Sequence, residues 1–356
     1  MIKKMLHSLA WNTERILDGL RGQRDTRRII EPYIGYATPD HLVVRGRVLS
    51  GLRRNKPVPT QSRWTNFKQM LSLFLTDEVA AVKVAAHDVT GLTDEEGYFT
   101  LLLPRTSELG WNDVEVTIEG RAGATLCPVL VADAQADFAI VSDIDDTMLK
   151  TGAYSLVRNL WTTFTGNAGT RSIFPDAVAF IQEVSRKGRN PVYYVSSSPW
   201  NLHQFLQNIF AAAGLVKGPT FLRDLGISKT QFITGTHGDH KGSSIDALMM
   251  ANPKLRYVLV GDTGQHDAFV YRDAIARHPG RVMAIVLREP GPGPDAQSLT
   301  ALEEIRQSGV PVLHGTDFSG FASRVNDLAA QGISGMRPSS ESVQHARPSR
   351  TIAASG

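Results

Sequence analysis

The chain has 356 residues, of which 42% are hydrophobic and 21% charged, and its formal net charge at pH 7 is +3. This length suffices for two domains of ordinary size, and the composition is that of a soluble globular protein. The single cysteine, Cys127, excludes an internal disulfide, and no apolar run is long enough to span a bilayer. Since the N-terminus also lacks a secretory signal segment, the sequence predicts a cytoplasmic protein.

The first 30 residues are predicted to form an amphipathic helical segment. Apolar residues recur at three- and four-residue steps between Ile2 and Leu20, with basic residues between or after them. From Met1 to Lys68 the chain has fourteen Lys and Arg residues against five Asp and Glu residues. Such a region either binds an anionic partner, such as a membrane surface or nucleic acid, or forms a solvated face whose apolar stripe packs on the protein itself.

Residues 31–134 are predicted to form an antiparallel β-sandwich. Short segments with alternating polar and apolar residues, such as 41–49 and 98–104, are separated by turn signals such as 93–97. One helical insertion is expected at 65–75. This part of the sequence contains no recognisable catalytic set, which favours a structural or docking module.

Residues 135–330 are predicted to form an α/β domain with a Rossmann-like parallel sheet, followed by a disordered tail at 331–356. Longer units replace the alternation here, because apolar runs are separated by helical segments. The runs are 138–141, 192–195, 257–260, 282–287 and 310–313, and the helical segments include 176–186, 201–213, 244–250 and 318–330. The tail is rich in Ser, Pro, Arg and Ala and has few large apolar residues.

A cluster of acidic residues closely follows the run 138–141, namely Asp143, Asp145 and Asp146, with Thr147 next. Side chains two apart in an extended segment point the same way, so Asp143 and Asp145 can converge on one point at the carboxyl end of a strand. Two close carboxylates favour a hard cation such as Mg²⁺, which also accepts phosphate oxygens. A helix N-cap formed by Asp-Asp-Thr explains the cluster equally well.

Three further stretches are expected at the same edge of the sheet. The run 192–195 leads into Ser196 and Ser197, which supply hydroxyl and amide groups suited to a phosphate. The run 257–260 leads into Asp262 and Asp267, and Lys241 lies between the two stretches at the start of a predicted helix. Each stretch alone has a common structural explanation as a turn, a helix start or a surface charge. Their joint placement in one parallel sheet indicates a site.

With these motifs, the chain resembles the haloacid dehalogenase superfamily, whose four motifs correspond to 143–147, Ser196, Lys241 and 261–267. More narrowly, SDIDDTMLKTG, YYVSSSPWNL, GPTFLRDLG and GDTGQHD resemble the actin-patch phosphatidate phosphatase family. The superfamily match covers about residues 138–320. It implies a phosphatase domain of the haloacid dehalogenase type, and the narrower resemblance implies Mg²⁺ as cofactor and phosphatidate as substrate.

The expected mechanism gives the two paired carboxylates different tasks. Asp143 attacks phosphorus and forms an aspartyl phosphate, while Asp145 protonates the leaving alkoxide and then accepts a proton from water. The expected Mg²⁺ ligands are Asp143, the Asp145 carbonyl and Asp262.

The remaining motif residues are expected to bind the substrate or to support the site. Ser196, Ser197 and Lys241 are expected to hold the phosphate oxygens. Asp267 either acts through a water molecule or orients Lys241, and Thr147 steadies the loop that follows Asp143.

The sequence therefore predicts a Mg²⁺-dependent phosphatidate phosphatase. A membrane surface is an expected peripheral partner, nucleic acid is not expected as a partner, and protein partners are unassigned. Two other functions are kept as alternatives. One is a soluble phosphatase acting on a sugar or nucleotide phosphate, and the other is a membrane- or nucleic-acid-binding module with a vestigial site. Trp161, Phe164 and Trp200 either form an apolar rim that admits acyl chains or belong to the core.

Overall fold

A computed structural model describes residues 28–50, 79–150, 173–223, 240–264, 266–289, 291 and 293–336. Several predicted features lie outside these residues. They are the helical segment up to residue 27, the insertion at 65–75, the aromatic residues Trp161 and Phe164, and the tail beyond 336.

Seven strands in the first part of the chain form one sheet. They are β1 (Arg28–Ala37), β2 (His41–Ser50), β3 (Lys83–Ala86), β4 (Val89–Leu92), β5 (Tyr98–Pro104), β6 (Gly110–Ile118) and β7 (Ala124–Val131). Their order is β4-β3-β6-β7-β1-β2-β5. All neighbouring pairs are antiparallel except β1 and β7, which are parallel. β1 begins at Arg28, so residues 28–30 are strand and not part of the predicted helical segment.

The predicted β-sandwich is wrong in its arrangement, because these strands form one mixed sheet and not two packed antiparallel sheets. The edge strands β4 and β5 are joined by only residues 93–97, so the sheet curls until its edges meet and resembles a nearly closed barrel. Inward-facing residues, including Val44, Leu101 and Cys127, fill one core. Curling buries alternate residues just as a sandwich does, which is why the sequence pattern did not separate the two.

Six strands in the second part form a parallel sheet, as predicted. They are β8 (Ala139–Asp143), β9 (Val192–Pro199), β10 (Thr220–Arg223), β11 (Tyr257–Asp262), β12 (Val282–Arg288) and β13 (Val312–Gly315). The order is β10-β9-β8-β11-β12-β13, and every neighbouring pair is parallel. The α/β class and the five predicted apolar strands are confirmed, whereas β10 was not predicted.

Helices cover both faces of the parallel sheet. They are α1 (Pro175–Val184), α2 (His203–Ala212), α3 (His240–Ala251), α4 (Asp267–Arg277), α5 (Ala296–Gln307) and α6 (Phe321–Met336). Successive strand residues point to opposite faces, so Ile140 packs with α1, α2 and α6, while Val141 packs with α3, α4 and α5. Helix α6 continues to Met336, past the predicted start of the tail at 331. None of the described helices combines the length and the hydropathy needed to cross a membrane.

The predicted site residues lie where parallel strands reach the same edge. Asp143 ends β8 in register with Val195 of β9, just before Ser196. Asp262 ends β11 on the other side of β8. The parallel topology therefore brings together residues that are far apart in sequence.

Arg288, at the end of β12, joins several segments at this edge. It is 2% exposed, and its guanidinium donates to Thr147 O at 3.2 Å, Thr316 O at 2.9 Å and Asp176 Oδ2 at 2.5 Å. The rings of Phe174 and Phe318 lie 4.0 and 4.4 Å from it. The loop after β8 and the start of α1 are thus fastened to one side chain.

We expect Arg288→Met to lower the free energy of unfolding by about 3 to 5 kcal/mol, since it leaves the Asp176 carboxylate without its cation and two carbonyls without their donor. Urea unfolding followed by far-UV circular dichroism measures this. The control is Arg272→Met, which breaks an exposed pair with Glu304 and should cost less than about 1 kcal/mol. Equal losses in the two variants would contradict the fastening role of Arg288.

Candidate active site

A buried lysine joins two of the aspartates at the carboxyl edge. Lys241, in the first turn of α3, places Nζ 2.7 Å from Asp143 Oδ1 and 2.5 Å from Asp267 Oδ1. Its side chain is 10% exposed, and those of the two aspartates are almost fully buried. The other oxygen of Asp267 accepts a hydrogen bond from the backbone amide of Asp262. Both Asp267 oxygens are therefore engaged, which fits the expectation that Asp267 orients Lys241.

Three carboxylates come close enough to hold a cation together. Oxygens of Asp143, Asp262 and Asp267 lie within 4.8 Å of one another, whereas the Asp145 carboxylate, which faces Ser196, is not in this group. Asp143 Oδ2 is buried and accepts no hydrogen bond from the described residues. With Lys241 charged, the three ionised carboxylates leave two negative charges, and their oxygens suit a hard divalent cation. The residues therefore fit Mg²⁺.

Asp145 lies in a different environment from Asp143. Its Oδ2 accepts hydrogen bonds from Ser196 Oγ at 2.6 Å and from Ser198 Oγ at 3.0 Å. Ser196 Oγ in turn accepts a hydrogen bond from the Ser198 amide at 2.9 Å. We call Ser196–Ser198 the serine segment. The two hydroxyl groups hold Asp145 in place.

Ser197 does not belong to this group, although the sequence suggested it as a phosphate ligand. Its side chain is exposed, while Ser196 and Ser198 are buried and share a face of β9. The two-residue period of a strand was the signal that would have favoured Ser198 over Ser197. The Ser196 hydroxyl proton goes to Asp145, so Ser196 positions that carboxyl as well as lying beside the expected phosphate position.

Burial and charge shift the pKa values of the three central groups. Burial raises the pKa of Asp143, and the carboxylates of Asp267, Asp145 and Asp262 add to this while Lys241 opposes it. Burial also raises the pKa of Asp145 against the hydrogen bonds from the serine segment. For Lys241, burial acts downward, but the pairing with Asp143 and Asp267 leaves its pKa raised. Lys241 is thus a stable cation, and both Asp143 and Asp145 keep a proton more readily than an exposed aspartate does.

The loop after Asp143 forms a turn and not a helix. Residues 146–148 are a turn bracketed by bridges from Leu149 to Asp145 and to Ile173, and Asp146 has a φ of +56°. The alternative that Asp-Asp-Thr caps a helix is therefore wrong for the described residues 144–150. The Thr147 carbonyl bonds to Arg288, which fits its expected supporting role.

Gly261, which begins the fourth motif, and Tyr271, which was not singled out from the sequence, pack beneath the site. A Cβ on Gly261 would lie 2.4 Å from Asp267 Oδ2 and 2.6 Å from the Tyr271 hydroxyl, so only glycine fits there. The Tyr271 hydroxyl donates to Val260 O at 2.8 Å. This close packing sets the position of Asp267, and no local pattern in the sequence marks Tyr271 as its partner.

Comparison with known proteins identifies the part of the chain that carries this site. A family model described as the catalytic domain of phosphatidate phosphatase APP1 matches residues 138–289. The match runs from just before β8 to just after β12 and includes every site residue named above. The resemblance to this family that the motifs indicate is confirmed.

Two curated fungal proteins are similar to the chain. Phosphatidate phosphatase APP1 of Saccharomyces cerevisiae is 24% identical over 204 residues, which is 56% of this chain and 34% of that protein. An uncharacterized protein of Schizosaccharomyces pombe is 26% identical over 231 residues, 62% of this chain and 37% of that protein. The chain thus spans about a third of the length of these relatives.

A solved structure also matches over much of the chain. It is a carbohydrate acetylesterase from Xanthomonas citri, which is 10% identical and has a TM-score of 0.33, with 85% of this chain and 74% of that one covered. At that similarity it carries no argument about fold or function.

We expect millimolar Mg²⁺ to raise the melting temperature of the protein, since a ligand of the folded state stabilises it by about 2.7 kcal/mol at one hundred times its dissociation constant. Asp262→Asn should abolish this rise, because it removes one negative charge from the three-carboxylate group. Differential scanning calorimetry with and without EDTA measures the effect. Asp273→Asn, at an exposed carboxylate, is the control and should keep the full rise. An undiminished rise in Asp262→Asn would show that the cation binds elsewhere.

Proposed function

Since residues 138–289 match the family model for the catalytic domain of phosphatidate phosphatase APP1, we propose that this chain hydrolyses a phosphomonoester at Asp143, with phosphatidate as the substrate. The observation that carries the proposal is the buried Asp143 carboxylate, which is ion-paired with Lys241 through Oδ1 while Oδ2 accepts no hydrogen bond from the described residues. We further propose that the parallel sheet has the haloacid dehalogenase arrangement, which the motif order supports.

In the first step, Asp143 Oδ2 attacks phosphorus, and the bond from phosphorus to the ester oxygen breaks. An aspartyl phosphate forms on Asp143, which divides one difficult displacement into two easier steps. Lys241 holds Oδ1 and so turns Oδ2 toward the substrate. Its positive charge also stabilises the charge on the transferring phosphoryl oxygens.

Asp145 supplies and recovers the proton. Its raised pKa favours the protonated acid, which gives its proton to the departing alkoxide. Water then attacks phosphorus, passes a proton to Asp145 and releases phosphate from Asp143. The serine segment holds the carboxyl through both steps, and when Asp145 is protonated the Ser196 hydroxyl is free to donate to a phosphate oxygen.

Mg²⁺ would be held by Asp143, Asp262 and the Asp145 carbonyl, and when bound it supplies charge that lets an anionic nucleophile approach an anionic phosphate. Asp267 contributes negative charge to this group but holds Lys241 with one oxygen. The buried negative charge left by the three carboxylates supports a divalent cation over a monovalent one.

Phosphatidate as the substrate is supported by the family of residues 138–289 and by the basic first part of the chain. Lysine and arginine side chains attract anionic lipid, so we propose peripheral association with a membrane from the cytoplasmic side. The soluble-ester alternative predicts the same chemistry without that association.

We expect phosphate release from phosphatidate in mixed micelles to exceed release from a water-soluble monoester at equal concentration, and EDTA to abolish both. Asp143→Asn should reduce turnover to below about a hundredth, because it keeps the shape of the side chain and removes the nucleophile. Faster release from the soluble ester would contradict the proposal that the substrate is phosphatidate, but it would not contradict the proposed mechanism. Retained turnover in Asp143→Asn would discard the covalent mechanism.

The serine segment offers a matched pair of variants. Ser198→Ala should lower kcat about tenfold, since Asp145 loses one of its two hydroxyl donors, whereas Ser197→Ala should match the wild type. Steady-state kinetics on the soluble monoester measure both without interference from micelles. If Ser197→Ala were the more damaging change, the phosphate would lie on the exposed face of β9.

A further inference from the structure

We propose that the seven-stranded sheet helps to position the catalytic site. Arg45 and Tyr33 are positioning residues that hold Trp200 and, through it, the serine segment against Asp145. The inference rests on the proposed function in so far as it concerns turnover, and its structural half can be tested without activity.

The serine segment receives little support from its neighbouring strands. β9 pairs with β10 at Val195 with Phe221 and again at Pro199 with Arg223. β9 advances four residues between these pairs while β10 advances two, so the serine segment arches away from regular pairing. On its other side, the pairing of β8 with β9 ends at Asp143 and Val195. The arch is therefore supported at its far end, where Pro199 pairs with Arg223 and Trp200 follows.

Trp200 is that end, and residues of the first sheet hold it. Its indole stacks on the Tyr33 ring of β1, with centroids 4.7 Å apart and planes 14° from parallel. The Arg45 guanidinium of β2 lies 5.5 Å from the same indole. Trp200 is thus packed against the first sheet, which favours the structural alternative over an apolar rim for acyl chains.

Arg45 also ties the first sheet to the strand next to the serine segment. It donates hydrogen bonds to Ile34 O at 2.7 Å and to Thr220 O at 3.3 Å, at the start of β10. Its guanidinium lies 4.7 Å from the Phe221 ring and 5.3 Å from the Tyr36 ring. A planar guanidinium can stack on rings and donate in its own plane at once, which a lysine cannot.

Arg47 provides a matched control on the same strand. It is 2% exposed, donates to Glu96 O at 2.7 Å and lies 4.6 Å from the Tyr98 ring. Both partners belong to the first sheet and its loops, and the Tyr98 ring also contacts the Tyr33 ring, with centroids 6.2 Å apart. Replacing Arg47 therefore disturbs the first sheet without removing the contacts to Trp200 and β10.

The test compares Arg45→Met and Arg47→Met in the full chain. Hydrogen exchange is followed by mass spectrometry in a peptide covering residues 193–203, which contains the Ser198 amide bonded to Ser196. We expect Arg45→Met to speed exchange there about tenfold or more and Arg47→Met to leave it at the wild-type rate. Equal exchange in the two variants would overturn the proposal.

Kinetics on the soluble monoester give the second readout. Arg45→Met should lower kcat about tenfold with a smaller change in KM, because the acid is misplaced while Lys241 still binds the phosphate. Arg45→Lys should remain impaired, since it restores charge without the planar contacts, and Arg47→Met should keep the wild-type kcat. Full recovery in Arg45→Lys would overturn the stacking role.

The two measurements distinguish a failure of the proposed function from a failure of the positioning role of Arg45. If the wild type releases no phosphate from any ester, the proposed function fails, and the exchange comparison still decides whether Arg45 positions the serine segment. If Arg45→Met does not fold, Tyr33→Leu removes the indole stack, together with the ring contacts of Tyr33 to Tyr98 and His203, and should show the same faster exchange. Wild-type exchange in that variant would count against the proposal.

Discussion

The site depends on one buried ammonium group. Lys241 Nζ contacts Asp143 and Asp267 together, and both carboxylates are removed from water. Burying carboxylates without a cation is costly. Asp143 at the end of β8 and Asp267 after β11 can both be buried because α3 brings Lys241 between them. The fit of Gly261 against Asp267 and Tyr271 then decides whether the second carboxylate reaches that lysine. The ion pair of Lys241 with Asp267 therefore depends on the backbone packing at Gly261.

Two aspartates two residues apart reach different chemistry because their partners differ. Asp143 meets an ammonium and other carboxylates, while Asp145 meets two hydroxyl groups. In the first environment the Lys241 ammonium opposes the burial that raises the pKa of the proposed nucleophile, and the second holds a carboxyl that can carry a proton. Supports on opposite sides keep these environments separate, since Arg288 fastens the loop after β8 and Trp200 fastens the end of the serine segment.

The sequence predicted the parallel sheet and most of the site because both depend on local patterns. Apolar runs marked the buried strands, and polar residues at their ends marked the edge where Asp143 and Lys241 meet. It missed what depends on contacts between distant segments, such as the curl of the first sheet and the meeting of Arg45 with Trp200. Ser198 was predictable in part. The two-residue period of a strand places it on the same face as Ser196, but the local sequence does not reveal that Asp145 faces both residues.

The charge of the site works against the stability of the fold. The pKa of Asp143 is raised in the folded protein, so this group favours folding below its ordinary pKa and loses that contribution as the pH rises through its folded value. At neutral pH the ionised form, which a nucleophile requires, is the form that folding disfavours. A protein selected for stability alone would replace Asp143 with a neutral residue. The buried carboxylates are therefore best explained by the proposed function, in which they hold a divalent cation and Asp143 attacks phosphorus.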